Sequence, residues 1–205
     1  MRPLKSAVKR VLLVNPNTCD NPYPVYPLGI AYVEGALRRA GVETRIVDLK
    51  LDSWESVAET LRIFQPDWIA LSLRNIDDVR ISVREFFVDA VRDLIRRIRD
   101  ACNAPVVVGG SGFSVMPREI FEYCSPDYGI SGEGEAPMAA LIAGQAPESI
   151  PGLVYEDASG VIQVNPVQMY GGFKTDIPLR DPRLFAYYLR DGGMANLQTQ
   201  RGCPL

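Results

Sequence analysis

The 205-residue chain contains no histidine. That single absence excludes a Ser-His-Asp triad, an imidazole general base and the usual zinc ligand. Cysteine is sparse: Cys19, Cys102, Cys124 and Cys203 are scattered without CxxC spacing, so neither a disulfide scaffold nor a complete metal site is encoded. No run approaches the ~20 consecutive apolar residues of a membrane span, and the opening Met1-Arg-Pro-Leu-Lys-Ser lacks the apolar core of a signal peptide, so a cytoplasmic location is expected. The net charge is −3, and the basic cluster Arg92 to Arg99 alternates with Val91, Leu94, Ile95 and Ile98 at helical spacing. It reads as a solvated helix face, not a nucleic-acid site. GxxxxGK[ST] is missing, and no GxGxxG follows the first strand, which excludes a phosphate loop and a dinucleotide fingerprint.

What is present is the ordinary balance of a soluble globular domain, 47% apolar and 23% charged. Val11–Asn15 is a short apolar strand that breaks at Asn15-Pro-Asn-Thr and a proline-laden loop to Pro27. Leu28, Ile30, Ala31, Val33, Leu37 and Ala40 then mark an amphipathic helix that Gly41 ends, and Thr44–Asp48 is a second strand. Ser53 caps a helix running to Pro66, Trp68–Ser72 is a third strand, and a long helix to about Cys102 precedes the wholly apolar strand Val106–Val108. So apolar a strand is buried on both faces, as parallel strands are. Pro117 opens a short helix, Tyr128–Ile130 is a fifth strand, and Gly132-Glu-Gly-Glu135 leads into a helix through Ala143.

Five strands joined by crossover helices predict an α/β, doubly wound, flavodoxin-like (Rossmann-like) parallel sheet of order 2-1-3-4-5. Residues 1–147 form this domain. Residues 148–195 read as a small β-hairpin unit, Gly152–Tyr155 and Val161–Val164, followed by a proline- and glycine-rich linker, and 196–205 as the start of something further. Ligands of such sheets bind beyond the carboxyl ends of the strands. That selects the loops 15–27, 72–78 and 109–114. Glycine in the last of these lets backbone approach a ligand closely. Each loop also has a bland reading: Asn15 and Asn17 as Asx-turns, the Gly-Gly as a tight turn, Glu133 and Glu135 as helix-dipole partners.

In order along the chain, Val14-Asn-Pro-Asn17, Pro27-Leu-Gly-Ile-Ala-Tyr32, Pro66-Asp-Trp-Ile-Ala-Leu-Ser72, Val106-Val-Val-Gly-Gly110 and Gly132-Glu-Gly-Glu135 resemble the N-terminal domain of cobalamin-dependent radical SAM proteins, and Leu197-Gln-Thr-Gln-Arg-Gly-Cys-Pro204 is similar to the family's approach to its catalytic domain. The wording is most similar to the anaerobic magnesium-protoporphyrin IX monomethyl ester oxidative cyclase-like group.

The resemblance implies cobalamin held by Asn17, Thr18, Tyr26, Pro27, Leu28, Ser72, Leu73, Arg74, Asn75, Gly109, Gly110, Ser111, Gly132, Glu133, Gly134 and Glu135. Ser72 and Gly109-Gly110 would line the channel of the nucleotide tail, Gly132 to Glu135 would close its side, and the Pro22–Pro27 loop would face the corrin. In the family, Arg-Gly-Cys-Pro begins a CxxxCxxC motif that binds a 4Fe-4S cluster and S-adenosylmethionine. Here Cys203 would be the first ligand, and the chain is expected to stop before the other two. No catalytic residue is expected among these residues; methyl transfer or oxidative ring formation would belong to a C-terminal radical SAM domain. Without histidine the cobalamin would be base-off with no protein imidazole, unlike the Asp-x-His-x-x-Gly type. The alternative is a flavodoxin-like regulatory or interaction module that has lost the cofactor.

Overall fold

A computed structural model describes residues 10–78, 86–168 and 178–198. The strands β1 (Arg10–Asn15), β2 (Glu43–Asp48), β3 (Trp68–Ser72), β4 (Val106–Gly109) and β5 (Tyr128–Ile130) run parallel in the order 2-1-3-4-5, the order expected from handed crossovers and from analogy with doubly wound sheets. The helices α1 (Leu28–Arg39), α2 (Trp54–Phe64), α3 (Phe87–Ala101) and α5 (Pro117–Cys124) connect them, with the single turn α4 (Ser111–Val115) between β4 and α5, and α6 (Glu135–Ile142) follows β5.

The two faces of the sheet are covered by different helices. Leu12, Val14, Ile69, Leu71, Val106 and Val108 face α2, α3 and α5, while Val11, Leu13, Trp68 and Val107 face α1 and α6. Strand alternation alone sorts them. The α3 stripe Val91, Leu94, Ile95 and Ile98 is at most 5% exposed, and burial of each such side chain is worth about 1.5–3 kcal/mol. Ser53 caps α2 by accepting the Ser56 N–H at 3.4 Å. The buried Glu34 carboxylate is met by Thr44 at 3.0 Å and Arg38 at 2.8 Å, fastening α1 to β2.

Two features depart from the sequence reading. The hairpin β6 (Leu153–Glu156) and β7 (Ile162–Val164) is not a unit apart: β6 pairs antiparallel with β5, so among the described residues the sheet has seven strands. The sequence shows a hairpin's turn but not the distant strand against which it lies. Within the stretch expected to be linker, Pro182–Gly192 is a helix, α7. Asp181 caps it by accepting the Leu184 N–H at 3.0 Å, Pro182 holds its first position, and Gly193 ends it in the left-handed region. Leu184 (0% exposed) and Tyr188 (3%) bury its inner face against Tyr26 and Ala31.

Candidate functional site

A cavity of about 930 Å³ opens at the carboxyl ends of β1, β3 and β4 and runs down between the sheet and the helices α1 and α6. Its depth is apolar, built from Leu13, Ile30, Ala70, Val107, Ile130 and Met138, and its upper rim is polar. The volume lies near the upper end of the roughly 300–1,000 Å³ of small-molecule sites. Arg74 is the one cation lining it among the described residues, beside Glu133 and Glu135. Such a wall suits a large amphipathic ligand better than a polyphosphate.

The edge beside β3 and β4 is shaped by backbone. Leu73 N–H donates to Gly109 O at 2.8 Å and Gly112 N–H to Leu73 O at 2.9 Å, so the two strand ends close on each other. Gly110, with φ 102° and ψ 171°, makes this possible. A Cβ there would stand 2.5 Å from Leu73 O and 3.0 Å from Ser72 Oγ. The Ser114 hydroxyl then bridges two loops, donating to Gly110 O and accepting the Gly132 N–H, both at 2.9 Å. Ser111 Oγ donates to Arg74 O at 2.7 Å and ties the third loop to the second.

Of the positions singled out in the sequence, Asn17, Tyr26, Pro27, Leu28, Ser72, Arg74, Gly109, Gly110, Ser111, Gly132, Glu133, Gly134 and Glu135 line this one cavity. Thr18, Leu73 and Asn75 are not in its wall. Thr18 is exposed and its carbonyl accepts from Lys50 Nζ at 2.9 Å. Leu73 continues the alternation of β3 onto the other face, where it is buried at 2% exposure with the α3 side chains, and the Asn75 backbone packs against Gly112. Asn17 also makes the Asx-turn its residue type favours, accepting the Cys19 N–H at 3.1 Å. Cys203 lies outside the described residues. Among those described, no cluster of Cys, Asp or Glu could hold a metal ion, and no helix is long and apolar enough to cross a membrane.

Sequence reasoning passed over Asn15, Asp48 and Tyr188 as a set. Asp48 is fully buried at the end of β2 and accepts three donors: Asn15 Nδ2 at 2.9 Å, the Tyr188 hydroxyl at 2.8 Å and Lys50 N–H at 2.9 Å. Burial pushes its carboxyl above the usual range, against the pull of those hydrogen bonds. Burial also raises the Tyr26 hydroxyl, to about 12, and raises that of Tyr188 further still, so both stay protonated at neutral pH. The one sequence signal for this set was Asp181-Pro182 with Gly193, the two ends of α7.

The comparisons with known proteins agree with this geometry. Residues 20–142 match the B12 binding domain family. The chain is 34% identical over 73% of its length to tryptophan 2-C-methyltransferase of Streptomyces laurentii, and 26% identical over 87% to hopanoid C-3 methylase of Methylococcus capsulatus. It spans 26% and 34% of those two proteins. Among solved structures, the radical S-adenosylmethionine methyltransferase TsrM from Kitasatospora setae, with cobalamin and a 4Fe-4S cluster bound, matches 83% of the chain. Identity there is 31% and the TM-score 0.70, and the match takes in 31% of TsrM. The cobalamin-dependent radical enzyme OxsB shares the fold at 22% identity and TM-score 0.65, over 83% of this chain and 24% of OxsB. The doubly wound sheet, the cavity at its carboxyl edge and the match over residues 20–142 make the chain a member of the B12 binding domain family, of the kind found in cobalamin-dependent radical SAM proteins.

Proposed function

We propose that the cavity at the ends of β1, β3 and β4 holds cobalamin without a protein imidazole, for use by a radical SAM domain of a longer parent chain. The observation that carries this reading is the cavity itself: an apolar slot between the sheet and α1 and α6, opening to a polar rim at strand ends that approach each other through Gly110. A broad ring with a long tail needs both parts. The slot, flanked by Gly109 and Gly132, would take the tail, and Asn17, Tyr26, Pro27 and Leu28 would face the ring. Ser72, Ser111 and Ser114 offer hydroxyls along the way, and Arg74 and Glu133 the charged groups of the rim. Bound there, cobalamin supplies a cobalt centre able to carry a methyl group.

The residues of this chain would bind and orient the cofactor and shield its tail from water. The reaction would lie with other residues of the parent, including a cluster for which Cys203 is the first ligand. Both curated relatives named above are methylating proteins, which favours methyl transfer over ring-forming oxidation. A module that has lost its cofactor would more readily fill such a slot with side chains than keep it open.

The test is incubation of the purified chain with hydroxocobalamin, followed by desalting. The reading expects corrin absorbance that travels with the protein at about one per chain, and a melting temperature that climbs with cobalamin concentration, since a ligand held only by the folded state stabilises it. A colourless protein with a flat thermal response would refute it.

A further inference from the structure

The loop Pro16–Pro27 forms one wall of the cavity yet contains neither helix nor strand. Much of what holds it comes from α7, more than 150 residues later in the sequence. Tyr188 reaches the end of β1: its hydroxyl donates to Asp48 at 2.8 Å and lies 3.3 Å from Asn15 Nδ2. Tyr26, a cavity residue, is packed edge-on against Phe185 and Tyr188, with ring centroids 6.1 and 5.8 Å away, and Arg180 lies over its ring at 5.2 Å. Gly192 sits so close to Pro24 that a Cβ there would stand 2.5 Å from its carbonyl oxygen. Arg183 clamps Asp52, at 2.9 Å for one of its two hydrogen bonds, and Asp52 in turn accepts the Asp48 N–H at 2.9 Å. Arg180, just before the helix, donates to Asn196 O beyond it, and residues 196–198 return to the cavity as part of its wall.

A ligand in this cavity therefore touches two bodies at once: the loop that α7 holds, and the segment that follows α7. A ligand that contacts a docked state and not an undocked one shifts the equilibrium towards docking, and the coupling is reciprocal. We infer that α7 is a clasp for the cofactor site, in which Tyr188 is the positioning residue, and that cobalamin binding and docking of residues 182–192 favour each other. The inference rests on the cobalamin reading above. Tyr188 acts through Asn15 and Asp48: it supplies one of the three donors to a fully buried carboxylate whose amide partner, Asn15, lines the cavity. Without that hydroxyl the carboxylate is one donor short, and the helix that lacks it docks less well.

Hydrogen exchange of the 183–192 amides, with and without hydroxocobalamin, reads the coupling directly, alongside a corrin-binding titration of wild type and Tyr188→Phe. Phenylalanine keeps the aromatic packing and removes only the hydroxyl. Expected are slower exchange of these amides in wild type when hydroxocobalamin is added, and for Tyr188→Phe faster exchange together with a measurable loss of corrin affinity, of up to about tenfold, the limit that one charge-assisted hydrogen bond sets when it acts only through the docked fraction. Tyr188→Leu serves as a second variant that removes the ring as well, and should lose more affinity than Tyr188→Phe. If wild type binds hydroxocobalamin while α7 exchange is unchanged by it, and Tyr188→Phe binds as wild type does, the clasp is refuted and the cobalamin reading stands. If wild type binds no corrin, the cobalamin reading falls and the coupling falls with it.

Discussion

Replacing Gly110 by alanine tests the geometry of the cavity edge at one atom's resolution. Its backbone, at φ 102° and ψ 171°, lies in a region that is essentially glycine's alone, where a side chain costs about 1–3 kcal/mol. The added Cβ would also stand 2.5 Å from Leu73 O, the same carbonyl that accepts the Gly112 N–H at 2.9 Å. Relief requires the two strand ends to part. A loss of roughly 2–4 kcal/mol follows, at the high end of what single substitutions do. For a urea slope of about 2 kcal/mol/M, the unfolding midpoint should fall by roughly 1–2 M. Gly29→Ala is the matched control. Gly29 lies in α1, has φ outside the left-handed region, and a Cβ there meets nothing within 4 Å, so alanine should stabilise by about 0.5–1 kcal/mol. Without urea, Gly110→Ala should also retain less corrin than wild type, because Ser72 and Leu73 shift with the strand end. Equal midpoints for Gly110→Ala and wild type would refute the close approach of β3 and β4 on which the site rests.

Two further outcomes are expected. Gly29→Trp places a bulky side chain on the cavity wall where there is room for it. It should unfold no more easily than wild type yet lose most of its hydroxocobalamin binding in a desalting assay, and undiminished binding would locate the corrin elsewhere. Cys124, 3% exposed, has its thiol pushed up by burial to about 11. Because the folded state favours the neutral thiol, the stability linked to it is complete below about pH 9 and disappears as pH rises to about 11, a change of up to about 2–3 kcal/mol. Urea midpoints measured from pH 8 to 11 should decline less steeply for Cys124→Ala than for wild type; parallel declines would contradict that assignment.

The sheet was legible because its information is local. Val106–Val108 carries its double-sided burial in its own apolar run, and Ser53 and Gly41 mark helix ends within a few residues of the turns they make. The cavity edge followed from the strand order, since Ser72 and Gly109 end neighbouring parallel strands and Gly110 comes directly after. What escaped was non-local. Whether β6 pairs with β5 or stands apart depends on a strand over twenty residues away. Asp48 looks like a turn residue ending β2, and only the fold brings Asn15 and Tyr188 to it. The helix α7 had its signals, Asp181-Pro182 at one end and Gly193 at the other, but they lie among prolines and glycines that speak equally for a linker. Leu73 and Asn75 were grouped with Ser72 and Arg74 by adjacency, although an extended chain sends neighbours to opposite sides.

The most direct test of the central claim is electron paramagnetic resonance of the protein after loading with hydroxocobalamin and one-electron reduction to the cobalt(II) form. A chain with no histidine can offer the cobalt no imidazole. If the cavity takes the tail away from the metal, the spectrum of protein-bound cobalt should lack splitting from an axial nitrogen. A protein that retains no cobalt signal, or one whose signal carries axial nitrogen splitting, would contradict the account.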